Sequence, residues 1–197
     1  MTLPLLPEPG GTHRDRLLAA MAESIRADGF QGTTVADVVR RARTSRRTFY
    51  QHFEDRESCY LALFDVVTER VLDAIGEAGT GEGPWTERVD RTLAAYFGVL
   101  VAEPELTRSY MQEMPAMVGG AAHVRAGNER AARQLVRMAA EAGEHDPSVR
   151  PLPFEAALVV VGGLRELVMW ALDEGRDLGE LHAVAGDLLR RITFSAA

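Results

Sequence analysis

The sequence predicts an all-α fold: a small N-terminal head of three helices, residues 12–56, followed by a larger helical body, residues 57–197. Three observations lead there. Apolar residues recur at spacings of three and four through most of the chain, no stretch alternates long enough to make a strand, and proline and glycine collect at the breaks between periodic segments. At 197 residues the chain is long enough to bury a core, and it contains no internal repeat.

Residues 1–11, rich in proline and glycine, read as a loose arm. Thr12 offers an N-cap, and Leu17, Leu18, Met21, Ala22 and Ile25 form the stripe of a first helix that ends before Gly29-Phe30. In the second, Val35, Val38, Val39 and Ala42 fall at i, i+3, i+4 and i+7. Thr33 or Thr34 can cap it, and Asp37 stands where a short-armed capping box with Thr34 needs it. Arg43, Thr44 and Ser45 make the turn, with Ser45 as N-cap of a third helix from Arg46 through Phe53. Asp55 then caps a long helix carrying Tyr60, Leu61, Phe64, Val67, Val71, Leu72 and Ile75, which joins head to body.

Further helices follow from the same periodicity. Pro84 opens one with Val89, Leu93, Tyr96, Phe97 and Leu100; residues 105–114 make a short one closed by Pro115; residues 121–143 make a longer, more polar one. The most apolar, about 153–174, carries Phe154, Leu158, Val161, Leu164, Leu167, Val168, Met169 and Leu172 on several sides and so needs covering all round. Gly162-Gly163 inside it costs about 1 kcal/mol per glycine relative to alanine, which close approach of another helix would explain. Asp177 and Glu180 form a capping box for the last helix, striped by Leu181, Val184, Leu188, Leu189 and Ile192.

Two short helices meeting at so tight a break have the shape of a helix-turn-helix. In such a motif the second helix lies in the major groove of DNA while its other face is anchored. Phe49 and Phe53, at i and i+4, would point inward, leaving Arg46, Arg47, Thr48, Gln51 and the Tyr50 hydroxyl outward. Arg40, Arg41, Arg43, Arg46 and Arg47 place five cations in eight positions with no acid among them. Phosphates are natural counter-ions for such a run, and a bidentate arginine–guanine pair discriminates by roughly 1–3 kcal/mol. A solvated arginine face is the competing reading.

The order of residues favours the first. Ala42 through Glu57, with Ser45, Thr48, Tyr50, His52, Phe53 and Arg56 at matching spacing, resembles the DNA-binding signature of the TetR (tetracycline-repressor-type) family of bacterial regulators. The resemblance implies that Thr34, Thr48, Tyr50, His52 and Arg56 are phosphate candidates and that Arg43, Thr44, Arg46, Arg47 and Gln51 are base-reading candidates. It also implies a dimeric repressor on palindromic double-stranded operator DNA, with a ligand-binding and dimerisation body whose small-molecule effector moves the heads apart. In the family the last two long helices pair across the two-fold axis. Here that points to Phe154, Leu158, Val161, Gly162, Leu164, Val168, Leu181, Val184, Leu188 and Ile192 as the homodimer interface. One departure stands in the turn, where the family usually has glycine and this chain has Arg43: either the turn is strained or it differs slightly.

Charge is divided between the two regions. Residues 1–56 hold nine arginines and seven acids, net +2, and the remainder holds 13 arginines and 22 acids, net −9, giving −7 in all. A mildly basic head on an acidic body confines DNA contact to the head. Every basic side chain is arginine, since the sequence has no lysine. In the body, Tyr96, Tyr110, Met111, Met114, Met117, His123, Asn128, Met169 and Trp170 form a set of adaptable residues suited to lining an apolar effector pocket, or else to filling the core.

Other classes find less support. The five histidines are scattered with no paired metal-ligand spacing, no nucleophile elbow occurs and no phosphate-cradling glycine loop follows a strand, so neither metal, cofactor nor enzymatic activity is expected. Cys59 is the lone cysteine, which suits a reducing compartment. With no signal-peptide pattern and no apolar run near 18 residues, a cytoplasmic protein without membrane partners is expected. The alternative kept open is an all-helical protein-interaction module that lacks sequence-specific DNA binding.

Overall fold

The computed structural model describes residues 11–81 and 83–193; apart from Gly11, the arm expected over residues 1–11 lies outside them. The described chain is helical, with no extended strand. In order it forms α1 (His13–Gly32), α2 (Val35–Arg41), α3 (Arg46–His52), α4 (Arg56–Gly79), α5 (Trp85–Ala102), α6 (Pro104–Arg108), α7 (Gly120–His145), α8 (Phe154–Asp173) and α9 (Leu181–Thr193).

The caps form where short polar side chains stand before apolar periodicity. Thr12 and Asp15 make a full capping box on α1, and Thr34 and Asp37 make one on α2. Asp55 accepts from the Ser58 amide at 2.7 Å while Ser58 Oγ accepts from the Asp55 amide at 3.0 Å, fixing the start of α4. Gly29, before which the sequence places the end of the first helix, takes φ 67° and kinks α1, but the helix resumes to Gly32 with Phe30 buried in the core.

Two details differ from the periodicity alone. The helix expected over residues 105–114 stays α-helical only through Arg108; Ser109–Glu113 widens into a π turn and Met114–Ala116 tightens into a 3₁₀ turn. The proline at 115 and a buried polar knot account for this. Tyr60 Oη donates to Ser109, lying 3.0 Å from its carbonyl and 2.9 Å from its Oγ, and Ser109 Oγ in turn donates to Glu113. The other concerns the last helix. Asp177 caps a single 3₁₀ turn, Leu178–Glu180, accepting from the Gly179 amide, so α9 begins only at Leu181.

Chain contacts divide the protein into two compact units. One comprises the chain up to Arg70 together with Glu103–Val124; the other comprises Val71–Ala102 and the chain from Arg125 on. The core of the first is built from Leu17, Leu18, Met21 and Ile25 of α1, Val38 of α2, Phe49 of α3 and Cys59, Tyr60, Leu63 and Phe64 of α4. Burial pushes the Cys59 thiol up to about 12, so it stays a protonated packing residue. Gly120 sits so close to the Met114 carbonyl that a Cβ there would collide with it. In the second unit Trp85 is buried and its Nε1 donates to Thr193 Oγ1 at 2.8 Å, while the almost buried Arg88 donates from Nε to the Gly79 carbonyl at 2.6 Å.

Tyr60→Phe removes the hydroxyl from a buried site and leaves Ser109 with one partner fewer. We expect a loss of about 1–3 kcal/mol in urea unfolding, and unchanged stability would show that the knot contributes nothing.

Candidate nucleic-acid interface

The candidate reading surface is α3 with its flanking turn. Ser45 Oγ accepts from the Thr48 amide at 3.0 Å, so the N-cap predicted for this helix is in place. Phe49 and Phe53 turn inward, their rings 5.6 Å apart, and both are buried. On a helix of two turns this leaves the opposite side to solvent. Arg46, Arg47, Gln51 and His52 are exposed, and Tyr50 is 57% exposed with its ring edge-on to Phe49. Thr44 and Thr48 are half-buried.

The turn explains the oddity at Arg43. Its amide donates to the Arg40 carbonyl at 3.2 Å and the next amide, of Thr44, donates to Val39 at 3.0 Å. That pair of bonds is a Schellman motif, which requires a left-handed residue just beyond the helix cap. Arg43 supplies it with φ 50°, the single non-glycine positive φ among the described residues. Glycine would sit there without a Cβ penalty, so the turn keeps its geometry and bears the strain.

Two other candidates are engaged within the head. Thr34 exchanges hydrogen bonds with Asp37 in its capping box, and the Thr34 hydroxyl, followed by Arg40, holds the Asp37 carboxyl below the usual carboxylate range. Arg56 donates from Nη1 to the carbonyls of Thr33 (2.8 Å) and Phe30 (3.3 Å) and from Nη2 to Glu57 (3.0 Å), and its guanidinium lies 4.2 Å from the Phe30 ring centroid. It therefore ties the end of α1 to the start of α4. Sequence reading did not single out Arg14, exposed on α1 with its guanidinium 5.7 Å from the Phe53 ring.

Residues 17–63 match the sequence model of the bacterial regulatory proteins, tetR family. The HTH-type transcriptional regulator TcmR of Streptomyces glaucescens is 31% identical over 71 residues, which is 36% of this chain and 31% of that protein. The match to the tetR family thus covers the helix-turn-helix head and the start of α4. Solved structures extend the likeness in fold to nearly the whole chain. The fatty acid degradation regulator FadR of Bacillus halodurans aligns with a TM-score of 0.76 at 20% identity, covering 91% of this chain and 95% of that one. FadR of Bacillus subtilis, solved with stearoyl-CoA, aligns at 0.72 and 17%, covering 88% and 96%. A tetR-family regulatory protein from Rhodococcus RHA1 aligns at 0.68 and 22%, covering 95% and 100%.

The residues suggested for an effector pocket are not brought together. Met111 and Met114 are buried in the first unit, where Met117 packs on the core, Tyr110 lies 5.3 Å from Phe64, and His123 pairs with Asp65 at 3.0 Å. Asn128 is half-buried on α7, Met169 accepts from Arg165, and Trp170 is exposed beneath Arg176. Of these residues only Tyr96 lines an apolar cavity of about 90 Å³ within the second unit. Its other walls are Leu72 and Ile75 of α4, Thr92 and Leu93 of α5, Ala131, Leu135 and Met138 of α7, Val161 and Leu164 of α8, and Leu189 of α9. These are ordinary aliphatic stripe residues, and nothing in their spacing distinguishes them from core filling.

The suggested interface residues also divide. Val184 and Leu188 are exposed, while Leu158, Gly162 and Ile192 are half-buried and Phe154 lies under Arg133. Val161 and Leu164 line the cavity, and Val168 and Leu181 are buried in their own unit. The exposed side of α8 carries Val159, Gly163, Glu166 and Trp170, at i, i+4, i+7 and i+11, so a glutamate interrupts its apolar residues; Val159 is 75% exposed. Among the described residues, nothing beyond the local backbone of α8 comes within 4 Å of where a Cβ on Gly162 or Gly163 would stand, so no other described helix explains the glycine pair. Among the described residues no helix is long and apolar enough to cross a membrane, and no cluster of three His, Cys, Asp or Glu could hold a metal.

Arg43→Gly should relieve the left-handed strain and raise stability by up to about 1 kcal/mol, read as a higher midpoint in urea. A lower midpoint would mean that the arginine stabilises the turn through its side chain.

Proposed function

We propose that this protein is a cytoplasmic DNA-binding transcriptional regulator, a repressor that binds a palindromic operator as a homodimer and leaves it when a small apolar effector binds. The observation that carries the reading is the outward row Arg46, Arg47, Tyr50, Gln51 and His52 on a helix anchored from behind by Phe49 and Phe53. Cationic and hydrogen-bonding groups on a two-turn helix match what a major groove presents. In this reading Arg46, Arg47 and Gln51, with Arg43 and Thr44 at the turn, read bases. Thr34, Thr48, Tyr50 and His52 hold phosphates, and Arg56 fixes the entry to α4 so that neighbouring groups meet the backbone in register. Residues 12–56 serve as the reader, and residues 57–197 carry the effector site and the dimer contact.

The dimer reading is supported by the exposed Val159 and Trp170 of α8 with Val184 and Leu188 of α9. Exposed apolar side chains beside a glycine pair suit tight packing against a second copy. The effector reading is supported by the aliphatic cavity. Its volume of about 90 Å³ is well below the roughly 300–1,000 Å³ of small-molecule sites. An effector therefore enters only by displacing the walls, and a ligand that prefers the widened state shifts the equilibrium toward it. The stearoyl-CoA bound by the FadR of Bacillus subtilis is consistent with an apolar or acyl ligand in this fold.

A gel shift with the region upstream of its own gene tests the reading. The expected result is a specific complex that weakens steeply with salt, with Arg47→Ala relaxing base preference by about 1–3 kcal/mol while Arg56→Ala weakens all sequences alike. Equal loss of preference in both variants would overturn the assignment of roles, and no complex at low salt would favour an interaction module.

A further inference from the structure

A second polar feature lies between α1 and the turn after α2, and shares only Arg43 with the proposed base readers. Arg16 of α1, Arg41 at the end of α2 and Arg43 in the turn line one cleft of about 460 Å³, whose remaining walls are Ala19, Ala20, Ala42 and Glu23. Three guanidiniums against one carboxylate leave the cleft cationic, and the three alanines leave it roomy. That volume falls inside the roughly 300–1,000 Å³ range of small-ligand sites.

The arginines there are only partly satisfied. Arg16 Nη2 contacts His13 Nδ1 at 2.7 Å and Arg41 Nη2 contacts Asp28 at 3.3 Å, but the Nε of each is buried with no hydrogen-bond partner in the chain. Buried guanidinium N–H groups without acceptors are costly, and the acceptor that best matches their fork is an oxyanion. Arginine at both positions supplies planar donors suited to phosphate.

We propose that the Arg16–Arg41–Arg43 cleft is a phosphate-ester site, distinct from the base-reading face of α3. The occupant is either a phosphodiester of the DNA backbone or a soluble phosphate ester; the chemistry that holds it is the same. Binding there does not require that the protein recognise an operator.

The test titrates the full-length protein with inorganic phosphate, ionic strength being held constant with chloride, and follows melting temperature and calorimetric heat. Wild type should show saturable binding. Arg16→Gln and, as a second variant that keeps every arginine, Ala19→Glu should weaken it at least tenfold, and Arg47→Ala should leave it unchanged. A parallel measurement of DNA affinity against salt separates the two sources. A slope lowered by about one in Arg16→Gln assigns the site to a backbone phosphate, and an unchanged slope with lost phosphate binding assigns it to a soluble ester. No saturable binding by wild type, wild-type affinity in both folded cleft variants, or loss in Arg47→Ala would overturn the proposal.

Discussion

The first unit depends on one aromatic seam. Phe30 packs on Tyr60 with ring centroids 4.3 Å apart, Tyr60 on Phe64 at 4.7 Å, and Phe64 on Tyr110 at 5.3 Å. One long helix and two of seven residues cannot exclude much water by themselves, so α4 and the segment after Pro104 supply the rest of the core. Arg56 sits at the top of the seam, stacked on Phe30 and bonded to the carbonyls that end α1. Take the seam away and Phe49 loses the packed surface that lets α3 keep its polar side outward.

Most of the head was legible in the sequence because its determinants are local. A threonine three residues before an aspartate makes a capping box wherever it falls, and two phenylalanines at i and i+4 must share a face. The turn is the instructive case. The family pattern expects glycine where Arg43 stands, and the Schellman bonds explain why: the position needs a positive φ whatever residue occupies it. The departure was therefore a strained turn and not a different one.

What could not be read lies in the partnerships between distant segments. Periodicity says which side of a helix faces inward but not which neighbour it meets. Of the methionines suggested as pocket lining or core filling, Met114 and Met117 belong to the core of the first unit and Met111 is buried. The cavity of the second unit is walled largely by leucines, with one valine and one isoleucine, indistinguishable in sequence from packing residues. Trp170 shows the same limit in reverse, since an aromatic residue on the most apolar helix proves to be exposed. The π turn at Ser109–Glu113 depends on Tyr60, 49 residues away, and so leaves no local signature.

These features combine into one physical account. In the proposed reading, a helix braced by aromatic packing presents arginines to a groove, and the exposed apolar side chains of α8 and α9 hold two such helices at a fixed separation. A DNase footprint on genomic fragments tests that account most directly. It predicts two protected half-sites related by two-fold symmetry, their centres about one helical turn or a small multiple apart. Even coating of any duplex, or no protection at low salt, would contradict it.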